Sequence, residues 1–307
     1  DIFDRLFKLL GKTLRRNLIL TLIIIVPSSL ILAYGLDAFF GNISDFVSQH
    51  SGSDFDSIED WGPFLSSMST MLVTVALFML GYIAATLGVT IVACNEMTGQ
   101  KISWNEALNL TMSVRYARLL GQQILAIVAI SAIFMFPYII LAASEQKAIG
   151  GLLIFASFFI VAFLWVKWAF AIAAIAIEEA GVYQSFQRSW ALVKDNWWRT
   201  FGILLLLSIV IQFALSIVTT PLSMLAFWDF YAKYFEYLGT LGGQQASPED
   251  VFKLFDSFGP GMGLVSGLST VLSLLIMPLI TVVMYFDLRA RKGEFTEQTP
   301  PEASEDI

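Results

Sequence analysis

The chain has 307 residues, 57% of them hydrophobic and only 14% charged, with a net charge of −7 and a mean hydropathy of +0.72. Soluble domains carry about 45–50% apolar and about 25% charged residues, so neither a soluble globule nor a disordered chain is expected, and charge is too scarce for a nucleic-acid-binding patch. A single cysteine and a single histidine exclude an internal disulfide and a Cys/His metal cluster, so neither metal nor cofactor is expected.

A basic segment carrying Arg5, Lys8, Lys12, Arg15 and Arg16 leads into a first apolar stretch, Leu18–Leu36. Crossing about 30 Å of hydrocarbon takes roughly 20 helical residues. Five further stretches qualify: Ser69–Cys94, Leu119–Ala143, Gly151–Ile177, Phe201–Phe227 and Met262–Phe286. They are continuously apolar without period-two alternation, which predicts helices rather than a barrel. The first lacks a small-residue cleavage site and reads as a retained anchor. An acidic loop follows it, with Asp37, Asp45, Asp54, Asp56, Glu59 and Asp60 around a solvated His50. Its Asp-x-Asp spacing lacks the glycine of a calcium loop. Cys94, beside Ile91, Val92 and Ala93, reads as a buried inert thiol.

Cations fall on one side. Lys101, Arg115 and Arg118 lie between spans two and three, Arg188, Lys194 and Arg199 between four and five, and Arg289, Arg291 and Lys292 after six. The other side has Lys147, Lys233 and Lys253, so the positive-inside rule places both termini in the cytoplasm. Lys167 is the one cation inside a span; beside Trp165 and Trp168, it reads as a snorkelling structural or lipid contact. Trp228–Leu238 and the segment opening Ser247-Pro248 predict short helices on the outer leaflet. Gly259, Gly263 and Gly267 form a small-residue stripe for close packing, within the chain or in a homo-oligomer or with another membrane protein. Residues 294–307, with Glu294, Glu297, Glu302, Glu305 and Asp306, predict a disordered acidic tail after a 1–293 membrane domain.

The segments preceding spans one, three and five resemble one another. Phe3-x-Arg5-x-Phe7-x-Leu9 matches Phe186-x-Arg188-x-Trp190-x-Leu192, and without a gap Arg16 then falls on Arg199. A weaker copy runs from Trp104 to Arg118. Each segment is amphipathic, which predicts an elbow helix lying in the headgroup plane. Pro27, Pro137 and Pro221 recur in the outward spans, with Pro278 in span six, and predict kinks. The expected fold is therefore all-α, with six transmembrane helices in three parallel repeats of elbow helix plus hairpin, at about 1–94, 103–177 and 182–288.

Each return span ends in a carboxylate, Glu96, Glu178 or Asp287, placed to pair with the elbow arginines Arg16, Arg118 and Arg199. Those same carboxylates are the expected partners of Lys167. The lipid-contact candidates are Arg16, Arg118, Lys167, Arg188, Lys194, Trp197, Trp198 and Arg199, since indoles favour the headgroup level and arginine pairs with phosphate. No nucleophile–base constellation accompanies the carboxylates, and catalysis is not expected.

The third copy, Ala176-Ile177-Glu178-Glu179-Ala180-Gly181-Val182-Tyr183-Gln184-Ser185-Phe186-Gln187-Arg188-Ser189-Trp190-Ala191-Leu192-Val193-Lys194 followed by Trp197-Trp198-Arg199, resembles the membrane domain attached to some bacterial glycerophosphoryl diester phosphodiesterases and related stand-alone multi-pass proteins of unassigned function. The likeness covers about a quarter of the chain well. It implies a membrane module of a bacterial inner membrane without the catalytic barrel, and it transfers no catalytic residue. The expected role is non-enzymatic binding or organisation of lipid or a membrane partner. The alternative is a transporter or lipid-translocating protein using a cleft between repeats.

Overall fold

A computed structural model describes residues 2–50, 61–143, 147–240 and 258–294, and these form helices and turns with no strand among them. In chain order the helices are α1 (Ile2–His50), α2 (Gly62–Met97), α3 (Trp104–Thr111), α4 (Val114–Ala143), α5 (Lys147–Trp168), α6 (Ala171–Glu178), α7 (Val182–Val193), α8 (Trp197–Ala226), α9 (Trp228–Thr240) and α10 (Phe258–Arg291). Among the described residues six stretches are long and apolar enough to cross a membrane: Ile2–Phe46, Gly62–Met97, Val114–Ala142, Ala148–Glu178, Trp197–Ala226 and Phe258–Arg291. Leu72, Phe155, Phe159, Phe213 and Ile217 are exposed along them, a surface that suits lipid and not water. The chain is a membrane-embedded, all-helical protein.

Hydropathy marked the spans but not their ends. Helix α1 does not stop at Leu36; it runs on through His50, so Asp37, Asp45 and His50 belong to a helix rather than a loop. Its last turns still bury an apolar face, Ile43 and Phe46, with Phe46 against the rings of Trp61 and Phe64 at 5.9 Å each. Asp54, Asp56, Glu59 and Asp60, the helix predicted from Ser247, and the tail beyond Glu294 lie outside the described residues. The four prolines sit inside continuous helices α1, α4, α8 and α10. The short outer helix expected at Trp228–Leu238 is α9.

The elbow segments differ from one another. The second and third of the expected elbow segments contain separate short helices, α3 and α7, but the first is fused into α1. Local chemistry explains the difference. Ser113 accepts the Arg115 N–H at 3.3 Å and so caps α4, while Asp195-Asn196 breaks the chain before α8. In the first copy the position matching Asn196 is Thr13, whose hydroxyl donates back to the Leu9 carbonyl at 2.9 Å and keeps the helix going.

The described helices divide into two compact units. One comprises Asp1–Asn17, Leu87–Ser208 and Ile276–Ile307; it contains α3 to α7 and the segments at both chain ends. Here Ala126, Ala171 and Phe186 make a buried cluster against Trp168. The other comprises Leu18–Thr86 and Ile209–Leu275, with a core of Ile25, Leu32, Phe78, Ala85, Val271 and Leu274. In this second unit α1 is gripped on two sides by small residues. A Cβ added at Gly259, Gly263 or Gly267 would meet Asp37 N at 2.3 Å, Ala33 Cβ at 2.2 Å or Ser29 Oγ at 2.6 Å. On the α2 side, Gly35 meets Thr74 and Gly81 meets Ser28 in the same way. The glycine stripe of α10 is therefore occupied by α1 of the same chain, as small-residue packing in lipid requires.

Candidate functional site

The polar side chains of the first unit form a belt built on the hairpin ends. At the end of α2, Glu96 Oε2 accepts Arg16 Nη2 at 2.5 Å, and its side chain is only 6% exposed. Arg16 also donates to the carbonyls of Ile102 at 3.1 Å and Lys12 at 2.9 Å. At the end of α10, Asp287 Oδ2 accepts Arg199 at 2.9 Å and Arg291 at 3.0 Å. Two of the three arginine–carboxylate pairs expected from the sequence are thus present, each linking the entry and the return of one hairpin.

The middle pair is different. Arg118 does not reach Glu178; it donates to the backbone carbonyl of Glu179, and Arg115 takes the Glu179 carboxylate. Glu179 ends α6 in the left-handed region, φ 53°, and the turn through Ala180 and Gly181 leads directly to α7. The hydrogen bond and charge of Arg115 hold the Glu179 carboxyl below its ordinary range.

Glu178 instead anchors α7 and α10. Arg188 binds it bidentately, Nε to Oε2 and Nη2 to Oε1, both at 2.9 Å. The Tyr285 hydroxyl donates to Glu178 Oε1. Glu294 then bridges Arg188 at 2.6 Å and Arg289 at 2.7 Å. Burial alone would raise the Glu294 carboxyl, but hydrogen bonds from both guanidiniums outweigh it and hold the group below its ordinary range. The hydrogen bond to Glu294 keeps Arg188 protonated against a desolvation that works the other way.

Span four is broken at Ala169–Phe170, between α5 and α6. Backbone polar groups freed in such a place need partners from neighbouring helices. Ser189 of α7, fully buried, supplies them: its Oγ accepts the Phe170 N–H at 3.1 Å and donates to the Lys167 carbonyl at 2.6 Å. Lys167 is 3% exposed, and Glu96, Glu178 and Asp287 all pair with arginines instead of with it. Its Nζ lies over the Trp190 ring at 4.7 Å and 5.6 Å from the Phe163 centroid, a cation–π arrangement.

On the outward side of α7 lies a groove of about 620 Å³. Its walls are apolar, chiefly Leu125, Ala129, Trp168, Phe186 and Trp190, and its polar groups include Gln187 and Lys194. Trp198 is largely exposed, whereas Trp197 stacks on Phe201 with centroids 5.2 Å apart. Of the eight lipid-contact candidates, Arg16, Arg118, Arg188 and Arg199 are engaged within the chain, Lys167 and Trp197 are packed on aromatics, and Lys194 and Trp198 face outward.

Sequence reasoning missed Ser189, Arg115, Tyr285 and Glu294. Ser189 carried no signal, since a serine at that step of an amphipathic helix is ordinary. Tyr285 was visible only as one more aromatic in span six. Glu294 was grouped with the tail because its neighbours are acidic. Cys94 is buried, as its apolar flanks predicted.

Six apolar helices, small-residue packing in one unit and a belt of ion pairs in the other define a multi-spanning helical membrane protein. The chain belongs to the family described as Domain of unknown function (DUF7847), whose model matches residues 66–287. No curated protein and no solved structure matches it.

Proposed function

We propose that this is a non-enzymatic protein of a bacterial inner membrane, both termini cytoplasmic, which binds phospholipid in the groove beside α7. The observation carrying this is the groove itself: about 620 Å³ of apolar, aromatic-walled space with Lys194 and Gln187 in its lining. That volume falls in the range of small-molecule sites, about 300–1,000 Å³. An acyl chain suits the Leu125, Phe186 and Trp190 walls, and a headgroup suits the lysine, by the amphipathic logic of interfacial helices. The resemblance of residues 176–199 to phosphodiesterase membrane domains and the repeat read from the sequence are part of the same proposal, in which the belt of ion pairs is structural. The test is native mass spectrometry of the full chain released from nanodiscs. Filling the groove with Ala129→Phe and reversing its charge with Lys194→Glu are expected to remove tightly held phospholipid while Cys94 stays unreactive. Unchanged lipid retention in that folded variant overturns the proposal.

A second reading, lipid translocation, is favoured by one feature of the other unit. A polar pocket of about 260 Å³ is lined there by Tyr82, Gln212, Thr219, Ser269, Thr270 and Ser273, hydroxyl and amide groups fitted to a headgroup. Accelerated movement of labelled lipid between leaflets of reconstituted vesicles, abolished by Gln212→Leu, distinguishes it.

A further inference from the structure

Two clefts in the first unit carry more positive charge than the described residues neutralise. One, of about 450 Å³, lies at the Arg16–Glu96 pair and is lined by Lys12, Arg16, Glu96 and Lys101, among others. The second, of about 280 Å³, lies at the Arg199–Asp287 pair and is lined by Ile2, Arg5, Arg199, Asp287 and Arg291. Each places three cations around a single carboxylate. In the first, Glu96 is taken by Arg16, and Lys12 and Lys101 have no ion-pair partner among the described residues. In the second, one oxygen of Asp287 serves both Arg199 and Arg291, and Arg5 has no partner among the described residues. Among the described residues the surplus is two positive charges in each cleft.

This differs from what membrane orientation requires. The positive-inside rule needs cations on one side of the bilayer and is indifferent to their convergence on a cavity. Convergence of like charge is unfavourable unless an anion offsets it. Part of each set is preorganised: Arg16 is fixed by Glu96 and by the carbonyls of Ile102 and Lys12, and Arg199 and Arg291 by Asp287. The clefts occupy matching places, since Arg16 and Arg199 align in the repeat and each faces the carboxylate that closes its own hairpin.

We propose that each cleft binds a dianionic phosphate group. Two negative charges match the surplus of two. In the second cleft the forked guanidiniums of Arg5 and Arg291 suit paired phosphate oxygens, while in the first Lys12 and Lys101 act as point charges. The phosphate comes from the monoester headgroup of a phosphatidate-type lipid or from inorganic phosphate. These sites share no residue with the α7 groove and do not depend on it.

The experiment uses the full chain and two probes at low ionic strength: labelled inorganic phosphate by equilibrium binding in detergent, and phosphatidate retention from nanodiscs by native mass spectrometry. Arg5→Gln with Arg291→Gln disables one cleft, Lys12→Gln with Lys101→Gln the other, and Arg16 and Arg199 stay in place to hold the fold. At a phosphate concentration that just saturates the native sites, the native chain is expected to bind two equivalents, each double variant to keep one strong site, and the quadruple variant to keep neither. Removing two cations weakens a cleft about 30-fold, at on the order of one cation's worth of surface attraction each. Binding of inorganic phosphate identifies the free anion as the source; retention of phosphatidate alone identifies the lipid. Binding of neither probe by the native chain, or equal binding by a quadruple variant with unreactive Cys94, overturns the proposal. The Ala129→Phe, Lys194→Glu groove variant keeps both equivalents, so the groove reading fails or stands separately.

Discussion

Ser189→Ala is the sharpest probe of how span four is held. The substitution deletes one hydroxyl at a fully buried site. That hydroxyl satisfies two backbone groups, the Phe170 N–H at 3.1 Å and the Lys167 carbonyl at 2.6 Å. A buried polar group left without a partner costs about 1–3 kcal/mol, so the pair should cost about 2–4 kcal/mol after relaxation. At about 2–4 °C per kcal/mol for chains of this order, the unfolding midpoint should fall by roughly 4–16 °C. Cys94 provides the assay, because it is the sole thiol and is 1% exposed: a maleimide dye reads its exposure on heating in detergent. Ser185→Ala is the control. Ser185 is equally buried on the same helix, but its hydroxyl donates only to the Val182 carbonyl three residues before it, at 2.7 Å. If Ser189→Ala lowers the midpoint no more than Ser185→Ala, the hydroxyl does not hold the break.

Arg16→Gln should destabilise the chain by about 3 kcal/mol, because it leaves the nearly buried Glu96 unpaired, while Arg115→Gln, whose partner Glu179 is 62% exposed, should change the midpoint little; the same thiol assay compares them. Gly263→Val should prevent folding or lower the midpoint strongly, since its Cβ would lie 2.2 Å from that of Ala33, whereas Gly41→Ala meets nothing within 4 Å and should be neutral or slightly stabilising. Glu294 has a depressed carboxyl, so its contribution is present above the unfolded value of about 4.3 and is lost as pH falls through the lower folded value. Thermal stability should therefore decline below about pH 4.5, and Glu294→Gln should flatten that acid limb relative to the parent, with Glu178, Tyr285, Arg188 and Arg289 unchanged around it.

The six spans were legible because lipid solvent leaves an unmistakable mark, a run of apolar residues too long for a core helix. Their ends were not. Ile43 is buried and Phe46 packs on Trp61 and Phe64 as α1 runs past Asp37, contacts that no local pattern announces. The break at Phe170 was equally silent, because it is permitted by Ser189, nineteen residues away. Charge pairing was partly legible. Glu96 and Asp287 each end a return span opposite one elbow arginine, so composition and order sufficed. Glu178 and Glu179 are adjacent, and which of them faces Arg118 or Arg188 depends on the left-handed turn at Glu179. The fused first elbow was missed for a smaller reason: Thr13 and Asn196 occupy matching positions, but a threonine hydroxyl closes back on its own helix.

The two units use different means to the same end. Apolar burial gives helices in lipid little reason to prefer one neighbour to another, since the acyl chains are as apolar as leucine. Specificity then has to come from shape or from charge. In the unit containing the middle of α1, shape serves: Gly259, Gly263 and Gly267 admit Asp37, Ala33 and Ser29, and Gly35 and Gly81 admit Thr74 and Ser28. In the unit containing the chain ends, charge serves. Arg16 and Arg199 each join the entry of a hairpin to its return, and Arg188 ties α7 to both α6 and the end of α10. Charge of this kind is more than a marker of orientation, for a cation needed only to orient a span gains nothing from three acceptors, as Arg16 has. Among the described residues Arg5, Lys12 and Lys101 have no ion-pair partner, and neither do Lys8, Arg15 and Lys194. The first three are set apart by lining the two clefts beside Arg199 and Arg16, and on that convergence, not on the want of a partner, the proposed phosphate sites rest.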